Sequence, residues 1–192
     1  MIKQEEKRKF FRIDDQIMLS YSIILGEDKV DYEDQSVQQS IDRFTLKARF
    51  DVLTLEIQPL HHKVIDSCSP DVALYLSAID KKLNILSEYF VEAEISNMDM
   101  TVKNVNIGAG GMAFSSPNAI MTGTKIELRF ILLPKLTGIF SYAKVVSCSQ
   151  NNANNKDEKS YLISVEYVDM TSDVRDLIIS HVITRERSAI SS

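Results

Sequence analysis

The chain has 192 residues, 44% of them hydrophobic, and a formal net charge of −5. This length and composition fit one domain of ordinary core size with an appendage. The acidic balance argues against a general binder of DNA, RNA or anionic membranes.

The compartment is predicted from the cysteines and the apolar runs. Cys68 and Cys148 lie in no CxxC pattern, so we expect reduced thiols and a cytoplasmic protein. The charged N-terminus has no apolar stretch typical of a secretory signal. The longest apolar run, residues 130–134, is only strand-sized, which predicts no membrane insertion.

A basic segment near the N-terminus is the first candidate site. Arg8 and Arg12 lie four residues apart, just before a predicted strand, with Lys7 and Lys9 beside them. Guanidinium forks suit phosphate oxygens and the acceptor edge of guanine. A local basic segment on an acidic protein suits a small anionic ligand better than a long polyanion. The alternative is a basic, disordered arm, since RxxxR alone is not specific.

The first predicted strand covers residues 16–25 and ends at a Gly-Glu-Asp turn signal. A stretch without glycine follows, over residues 31–97. Within residues 44–57 the apolar residues fit both strand alternation and a helical seam. No turn signal divides this stretch, and a lone strand would lack a partner. We therefore favour a helix, apolar on two sides and interrupted or kinked at Pro59.

The second half of this stretch predicts a clearer helix. Ser69 suits the N-cap and Pro70 the first helical position. Apolar residues then alternate at spacings of four and three, which is a heptad seam. The seam consists of Val72, Leu76, Ile79, Leu83, Leu86 and Phe90.

From residue 98 onward the pattern predicts short strands separated by turns. The strands are expected at residues 98–106, 112–115, 124–133, 139–148 and 161–168. The chain ends in a predicted helix that begins near Thr171 or Ser172 and frays from Arg185. Its apolar face holds Val174, Leu177, Ile178 and Val182.

The second candidate site is the glycine-rich stretch between two of these strands. Asn106 offers an amide to a base edge, Gly108 lets a ligand approach the backbone, and Gly111 fits a bend that a Cβ would obstruct. The alternative is a glycine bulge between barrel strands. Residues 108–113 also match GxGxxA, a dinucleotide fingerprint, but that motif requires a helix directly after the turn and a strand is predicted here.

Together the two stretches resemble the PilZ family, whose signature is RxxxR followed at a distance by [D/N]xSxxG. Arg8, Arg12, Asn106 and Gly111 match it, while Gly108 stands where the family has serine. The resemblance implies an α+β fold, with a small antiparallel six-stranded β-barrel, a long helical insert and a C-terminal helix. It also implies a non-enzymatic receptor for cyclic di-GMP that signals by ordering its N-terminal arm over the barrel.

The resemblance further implies that Arg8 and Arg12 hold phosphates and guanine, with Asn106 on a guanine edge. Losing one hydroxyl hydrogen bond at Gly108 costs about 1 kcal/mol, so we expect weakened rather than abolished binding. Lys7 and Lys9 add positive charge. We expect no cofactor other than the cyclic di-GMP ligand.

The helical stretch resembles a divergent PilZ branch that assembles through heptad helices. We therefore predict a barrel domain over residues 1–30 and 98–192 and a coiled-coil insert over residues 31–97. A homo-oligomer is expected, a tetramer in preference to a dimer, with a downstream partner in motility, pilus or biofilm regulation. The alternatives are a helical pair that only caps its own barrel, and a degenerate adaptor that oligomerises without binding nucleotide.

Other chemistry has little support in the sequence. The neighbouring His61 and His62 would point to different sides of a helix, which makes a poor metal pair. There is no GxSxG elbow and no phosphate-binding P-loop. We therefore predict neither a metal site nor an enzyme.

Overall fold

The computed structural model describes residues 11–24, 35–151 and 160–190, without the side chains of residues 35–42, 61, 62 and 151. The six strands are β1 (Arg12–Ile23), β2 (Thr101–Gly108), β3 (Gly111–Ser116), β4 (Lys125–Leu132), β5 (Thr137–Asn151) and β6 (Ser160–Val168). The three helices of the described residues are α1 (Gln35–Ser67), α2 (Pro70–Asn97) and α3 (Ser172–Ile190).

The six strands close into a barrel in the order β1-β2-β3-β6-β5-β4. This confirms the predicted six-stranded barrel. A β-strand begins at Gly111, which confirms the strand predicted where the GxGxxA fingerprint would require a helix. Alternate residues are buried, as in Ile17 and Leu19 of β1 or Ile163 and Val165 of β6. β1 begins at Arg12, four residues earlier than predicted, so Arg12 belongs to the strand and does not precede it.

The described residues divide into two compact units. One unit contains those of Met1–Gln16, Lys103–Ile126 and Ser141–Ser192. The other contains those of Ile17–Val102 and Glu127–Phe140. The division expected from the sequence, a barrel domain and an insert, stays a prediction.

The ambiguous residues 44–57 are helical, which confirms the preferred interpretation. The buried residues at the start of this helical stretch have the i, i+3 and i+4 spacing of one helix face; they are Phe44, Lys47 and Ala48. The charge of the buried Lys47 is compensated, since its Nζ lies 2.6 Å from Asp51 Oδ1. The helix continues through Pro59, where an interruption or kink was predicted.

The start of α1 packs on β5 at a glycine. A Cβ on Gly138 would lie 2.3 Å from the carbonyl oxygen of Phe44, so only glycine allows this approach. Next to this contact the Thr137 hydroxyl donates to Asp51 Oδ2, 2.5 Å away. Phe44 is fully buried, in a small apolar core with Val91 of α2. This second unit therefore has a core of its own at one end of the helices.

The helix α2 begins at Pro70, as predicted, and Ser69 takes the N-cap position. Ser69 contributes its backbone carbonyl, which accepts from the Ala73 N–H, and its side chain makes no capping hydrogen bond. α2 packs against α1. We call α1 and α2 together the helical pair.

The C-terminal helix is longer than predicted. It continues to Ile190, although fraying was expected from Arg185. Its predicted apolar face is largely buried, with Leu177, Ile178 and Val182 in the core. Among the described helices none combines the length and apolar character needed to cross a membrane.

Candidate functional site

The glycine-rich stretch forms a tight β-hairpin. Gly108 pairs with Gly111 across a two-residue turn formed by Ala109 and Gly110. A Cβ on Gly111 would lie 2.0 Å from the carbonyl oxygen of Val165, so Gly111 is required for the close pairing of β3 with β6. The predicted bend that excludes a side chain at Gly111 thus has a concrete cause in the neighbouring strand.

Two neighbouring elements hold the hairpin turn in place. Arg175 of α3 donates from Nη1 to the carbonyl oxygen of Ala109, 2.5 Å away. The backbone N–H of Tyr167 donates to the carbonyl oxygen of Gly110 at 3.2 Å. A hydrogen bond from a charged donor is stronger than a neutral one, so Arg175 is a principal constraint on the turn. Nothing in the sequence motif indicated Arg175.

The N-terminal end of β1 lies directly against Gly108. A Cβ placed on Gly108 would lie 2.3 Å from the Phe11 carbonyl oxygen and 2.7 Å from Cγ of Arg12. The structure therefore brings Arg12 and the glycine hairpin into contact. It also gives a physical reason for glycine at this position, since any side chain would overlap the backbone of the strand beside it.

The contact continues along the outward-facing side of the same two strands. Asn106 Nδ2 donates to Asp14 Oδ1 at 2.8 Å, and Gln16 Nε2 donates to Asn104 Oδ1 at 3.1 Å. These pairs step along β1 and β2 in opposite directions two residues at a time, as antiparallel neighbours require. We call the two pairs the polar ladder. Asn106, the residue predicted to contact a guanine edge, thus donates a hydrogen bond to the Asp14 carboxylate of β1.

Asp15 points inward and anchors β1 to α3. Its carboxylate, only 1% exposed, lies 2.6 Å from His181 Nε2 and accepts from Arg185 Nε at 2.9 Å and Nη2 at 2.5 Å. Burial alone would raise the pKa of Asp15, but hydrogen bonds from Arg185, His181 and the Gln16 backbone outweigh burial and lower the pKa below its ordinary value. Asp15 is therefore charged and held in place at neutral pH.

Two guanidinium groups influence a buried phenol of β6. Burial raises the pKa of Tyr167 far above its ordinary value, while the positive charges of Arg12 and Arg175 partly oppose that rise. Tyr167 is therefore a neutral phenol at physiological pH. Its surroundings show that Arg12 and Arg175 bring positive charge to the same region, which favours an anionic ligand.

The predicted site residues have the following positions. Arg12 and Gly108 are in contact, Asn106 lies two residues from Gly108 on the same strand, and Gly111 lies across the turn. The other predicted contacts, Lys7, Arg8 and Lys9, are outside the described residues.

Sequence reasoning missed five polar residues that fix this geometry. They are Asp14, Asp15, Arg175, His181 and Arg185. The sequence contained one signal for Asp15. It lies on the same face of the strand as Ile17 and Leu19, two and four residues further on, which are buried. An inward-facing carboxylate needs a cationic partner. The identity of that partner depends on the position of α3, which no local pattern reveals.

The described residues also bear on metal binding and on small-molecule binding. Within the described residues no group of three or more His, Cys, Asp or Glu side chains is placed to hold a metal ion. A cavity of about 190 Å³ lies in the second unit, lined by Ser20, Tyr21, Ser22, Met98, Asp99, Glu127 and Arg129. Small-molecule pockets are usually 300 Å³ or larger. This cavity is therefore small for a dinucleotide.

The family model of the PilZ domain matches residues 85–184, which is more than half of the chain. The chain belongs to the PilZ family. No curated protein sequence matches it.

Several solved structures are similar. One is a pathogenic protein from Xanthomonas campestris, described as a tetrameric PilZ domain self-assembled through a helical bundle. It aligns with a TM-score of 0.60 and 12% identity, over 96% of this chain and 92% of that one. At this identity the likeness shows the fold alone.

Two other structures align over about half of this chain. The PilZ domain of YcgR from Escherichia coli, solved with cyclic di-GMP, gives a TM-score of 0.39 and 15% identity, over 47% of this chain and 76% of that one. MrkH from K. pneumonia gives a TM-score of 0.40 and 16% identity, over 50% of this chain and 43% of that one.

Restoring the family serine at Gly108 is expected to harm the protein. In Gly108→Ser the new Cβ would meet the Phe11 carbonyl, so β1 must move, at a cost of about 1–3 kcal/mol. Urea denaturation should show this loss. Gly108→Ala should lose a similar amount because the Cβ causes the overlap, whereas Thr101→Ser at an exposed position of β2 should change little. Wild-type stability in both Gly108 variants would contradict this account.

Neutralising Asp15 is expected to destabilise the protein in a pH-dependent way. Asp15→Asn should lose on the order of 2 kcal/mol near neutral pH because it removes the charged acceptor of Arg185 and His181. The pKa of Asp15 is lowered in the folded state, so its contribution is present above the ordinary value of 3.8 and is lost as the pH falls below it.

The measurement is the free energy of unfolding of both proteins across pH 3 to 7. The difference between wild type and Asp15→Asn should be steady at neutral pH and shrink toward pH 3. The control is Asp176→Asn, which neutralises an exposed carboxylate of α3 and should show little difference from the wild type. A difference that grows toward low pH would be inconsistent with an ionised anchor.

Proposed function

We propose that the protein is a cytoplasmic, non-enzymatic receptor for cyclic di-GMP whose ligand binds where the start of β1 meets the β2–β3 hairpin. The observation that carries this proposal is the contact of Phe11 and Arg12 with Gly108. It brings the last residue of the first motif next to the second motif, although 96 positions separate Arg12 from Gly108.

The charges around this contact support an anionic ligand. Arg12 begins β1, so its backbone is held by the strand, and Arg175 lies behind the turn. Arg8, Lys7 and Lys9 precede Arg12 closely enough in the chain to add to the same site. We propose that these arm residues fold over the ligand and that the ordered arm forms the surface read by a downstream partner.

Removal of the Arg12 guanidinium is expected to weaken nucleotide binding strongly. A charged hydrogen bond contributes about 1.5–3 kcal/mol, so Arg12→Ala should lower affinity by about tenfold to a hundredfold. Arg12→Lys keeps the charge but loses the planar fork, and should recover only part of the affinity. Calorimetric titration with cyclic di-GMP measures both effects.

The control for this titration is Arg49→Ala, at an exposed position of α1 in the other unit. It should bind as the wild type does. Equal affinity in the wild type and Arg12→Ala would show that the nucleotide, if bound, does not use this site. Arg8→Ala tests the arm in the same way and should also lower affinity.

A second proposal concerns self-assembly through the helical pair. The predicted heptad seam of α2 is only partly covered, with Val72, Leu76, Ile79, Leu83 and Leu86 each 36–49% exposed. A second apolar face of the same helix is more open. It consists of Leu74, Tyr75, Ile85 and Tyr89, which are 59–73% exposed.

Several apolar residues of α1 are exposed as well. Leu53, Ile57 and Leu60 are each about half exposed. Large contiguous apolar surfaces are rare on monomers and are typical of interfaces. We propose that the helical pair associates with further copies of this chain, in a tetramer rather than a dimer, as the family resemblance implies. An oligomer that ignores nucleotide would instead favour a structural adaptor.

A charge on the more open face is expected to dissociate the assembly. Ile85→Asp would place a carboxylate in the buried centre of the proposed interface. Because Ile85 is exposed in a single chain, the substitution should change the stability of the monomer little. Size-exclusion chromatography with light scattering should give a multiple of the monomer mass for wild type and a smaller mass for the variant.

The matched control is Ser77→Asp, which adds the same charge to an exposed position of α2 away from both apolar faces. Its mass should equal that of the wild type, and circular dichroism should show unchanged helix content in both variants. A monomeric wild type would remove the assembly proposal and leave the helical pair as a cap on its own barrel.

A further inference from the structure

The polar ladder places a carboxylate inside the proposed nucleotide site. Asp14 is an exposed residue of β1, two positions after Arg12, and its Oδ1 accepts from Asn106 Nδ2 at 2.8 Å. Asn106 lies two positions before Gly108, which contacts Arg12. Arg12, Asp14, Asn106 and Gly108 therefore form one continuous patch on the outward-facing side of two adjacent strands.

The Asp14–Asn106 hydrogen bond determines which groups are left to contact a ligand. It uses one carboxylate oxygen and one amide hydrogen. Asp14 Oδ2, the second lone pair of Asp14 Oδ1, and Asn106 Oδ1 are acceptor sites that this bond does not use. The side chain of Asn106 is also oriented by the bond, because its Nδ2 must face Asp14. The patch thus presents mainly acceptors at this point.

Acceptors of this kind match guanine and mismatch adenine. The Watson–Crick edge of guanine has two adjacent donors, N1–H and the N2 amino group, and a carboxylate accepts from both. Adenine has an acceptor at N1, which would face the carboxylate without a hydrogen. A site whose polar groups lose their partners rejects such an analogue strongly.

We infer that Asp14 is the specificity-determining residue of this site and that its carboxylate, oriented by Asn106, accepts from N1–H and N2 of a guanine base. The inference rests on the proposed cyclic di-GMP function. Glycine at position 108 leaves this site without the hydroxyl that the family serine offers, and Asp14 supplies acceptor capacity close by. Neighbouring same-face positions on a strand are roughly 7 Å apart, so Arg12 and Asp14 reach different parts of one ligand.

The experiment is calorimetric titration of the full-length protein with cyclic di-GMP and with cyclic di-AMP. Asp14→Asn has almost the same shape as wild type but presents an amide in place of a carboxylate. We expect it to lower cyclic di-GMP affinity at least tenfold and to reduce the preference for guanine over adenine. Asp14→Glu, which keeps the carboxylate, should retain more of that preference than Asp14→Asn.

The matched control lies on the next rung of the polar ladder. Gln16→Ala removes the hydrogen bond from Gln16 Nε2 to Asn104 Oδ1, on the same face of the same strands. It should leave both affinities unchanged. Circular dichroism and thermal unfolding of all variants establish that each is folded, and Asp14→Glu serves as the test if Asp14→Asn fails to fold.

The outcomes separate this inference from the proposed function. No binding of cyclic di-GMP by the wild type would overturn the receptor proposal and with it the role of Asp14. Wild-type binding with equal or tighter binding by Asp14→Asn would overturn the inference alone, because the carboxylate would then only repel the phosphates. A loss of affinity with an unchanged guanine preference would also overturn it, since Asp14 would then be structural.

Discussion

The close approach of the first strand to Gly108 is the constraint on which the candidate site depends. The Phe11 carbonyl and the Arg12 side chain occupy the space that a Cβ at position 108 would need. A glycine there is a departure from the family serine, and the contact explains the departure by packing. The same contact places the first residue of β1 next to the hairpin, so that the backbone of Arg12 needs no ordering by a ligand. Any signal from the N-terminal arm would then depend on the residues before Phe11.

The C-terminal helix stabilises both halves of this contact. Its residue Arg175 holds the hairpin turn through the Ala109 carbonyl, and Arg185 and His181 hold β1 through Asp15. These hydrogen bonds involve charged groups, which makes them stronger than most, and the Asp15 carboxylate is almost completely buried. A ligand that shifts β1 or the hairpin would therefore act on α3 as well. This gives the helix a direct physical link to the proposed ligand, in addition to the burial of its own Leu177 and Ile178 in the core.

The helical pair has a different physical character from the barrel. It contains few buried residues along most of its length, and its exposed leucine, isoleucine and tyrosine side chains lie on more than one face. The buried part lies near Phe44 and Val91, where Gly138 lets α1 approach β5. Apolar helices of this length gain most of their stability from packing partners. The exposed faces are thus the strongest reason to propose further copies of the chain, independently of whether the protein binds nucleotide.

The sequence by itself determined the six strands, the heptad helix, the C-terminal helix and the two motifs, because alternation, heptad spacing and turn residues are local properties. It also favoured a helix for residues 44–57, since no turn signal or strand partner was present. Only the tertiary structure decided that Arg12 lies within a strand, that Asp14 bonds to Asn106, and that Asp15 is held by His181 and Arg185. These contacts join residues 92 to 170 positions apart. Such partners are chosen by strand order and helix placement, and no periodicity along the chain encodes them.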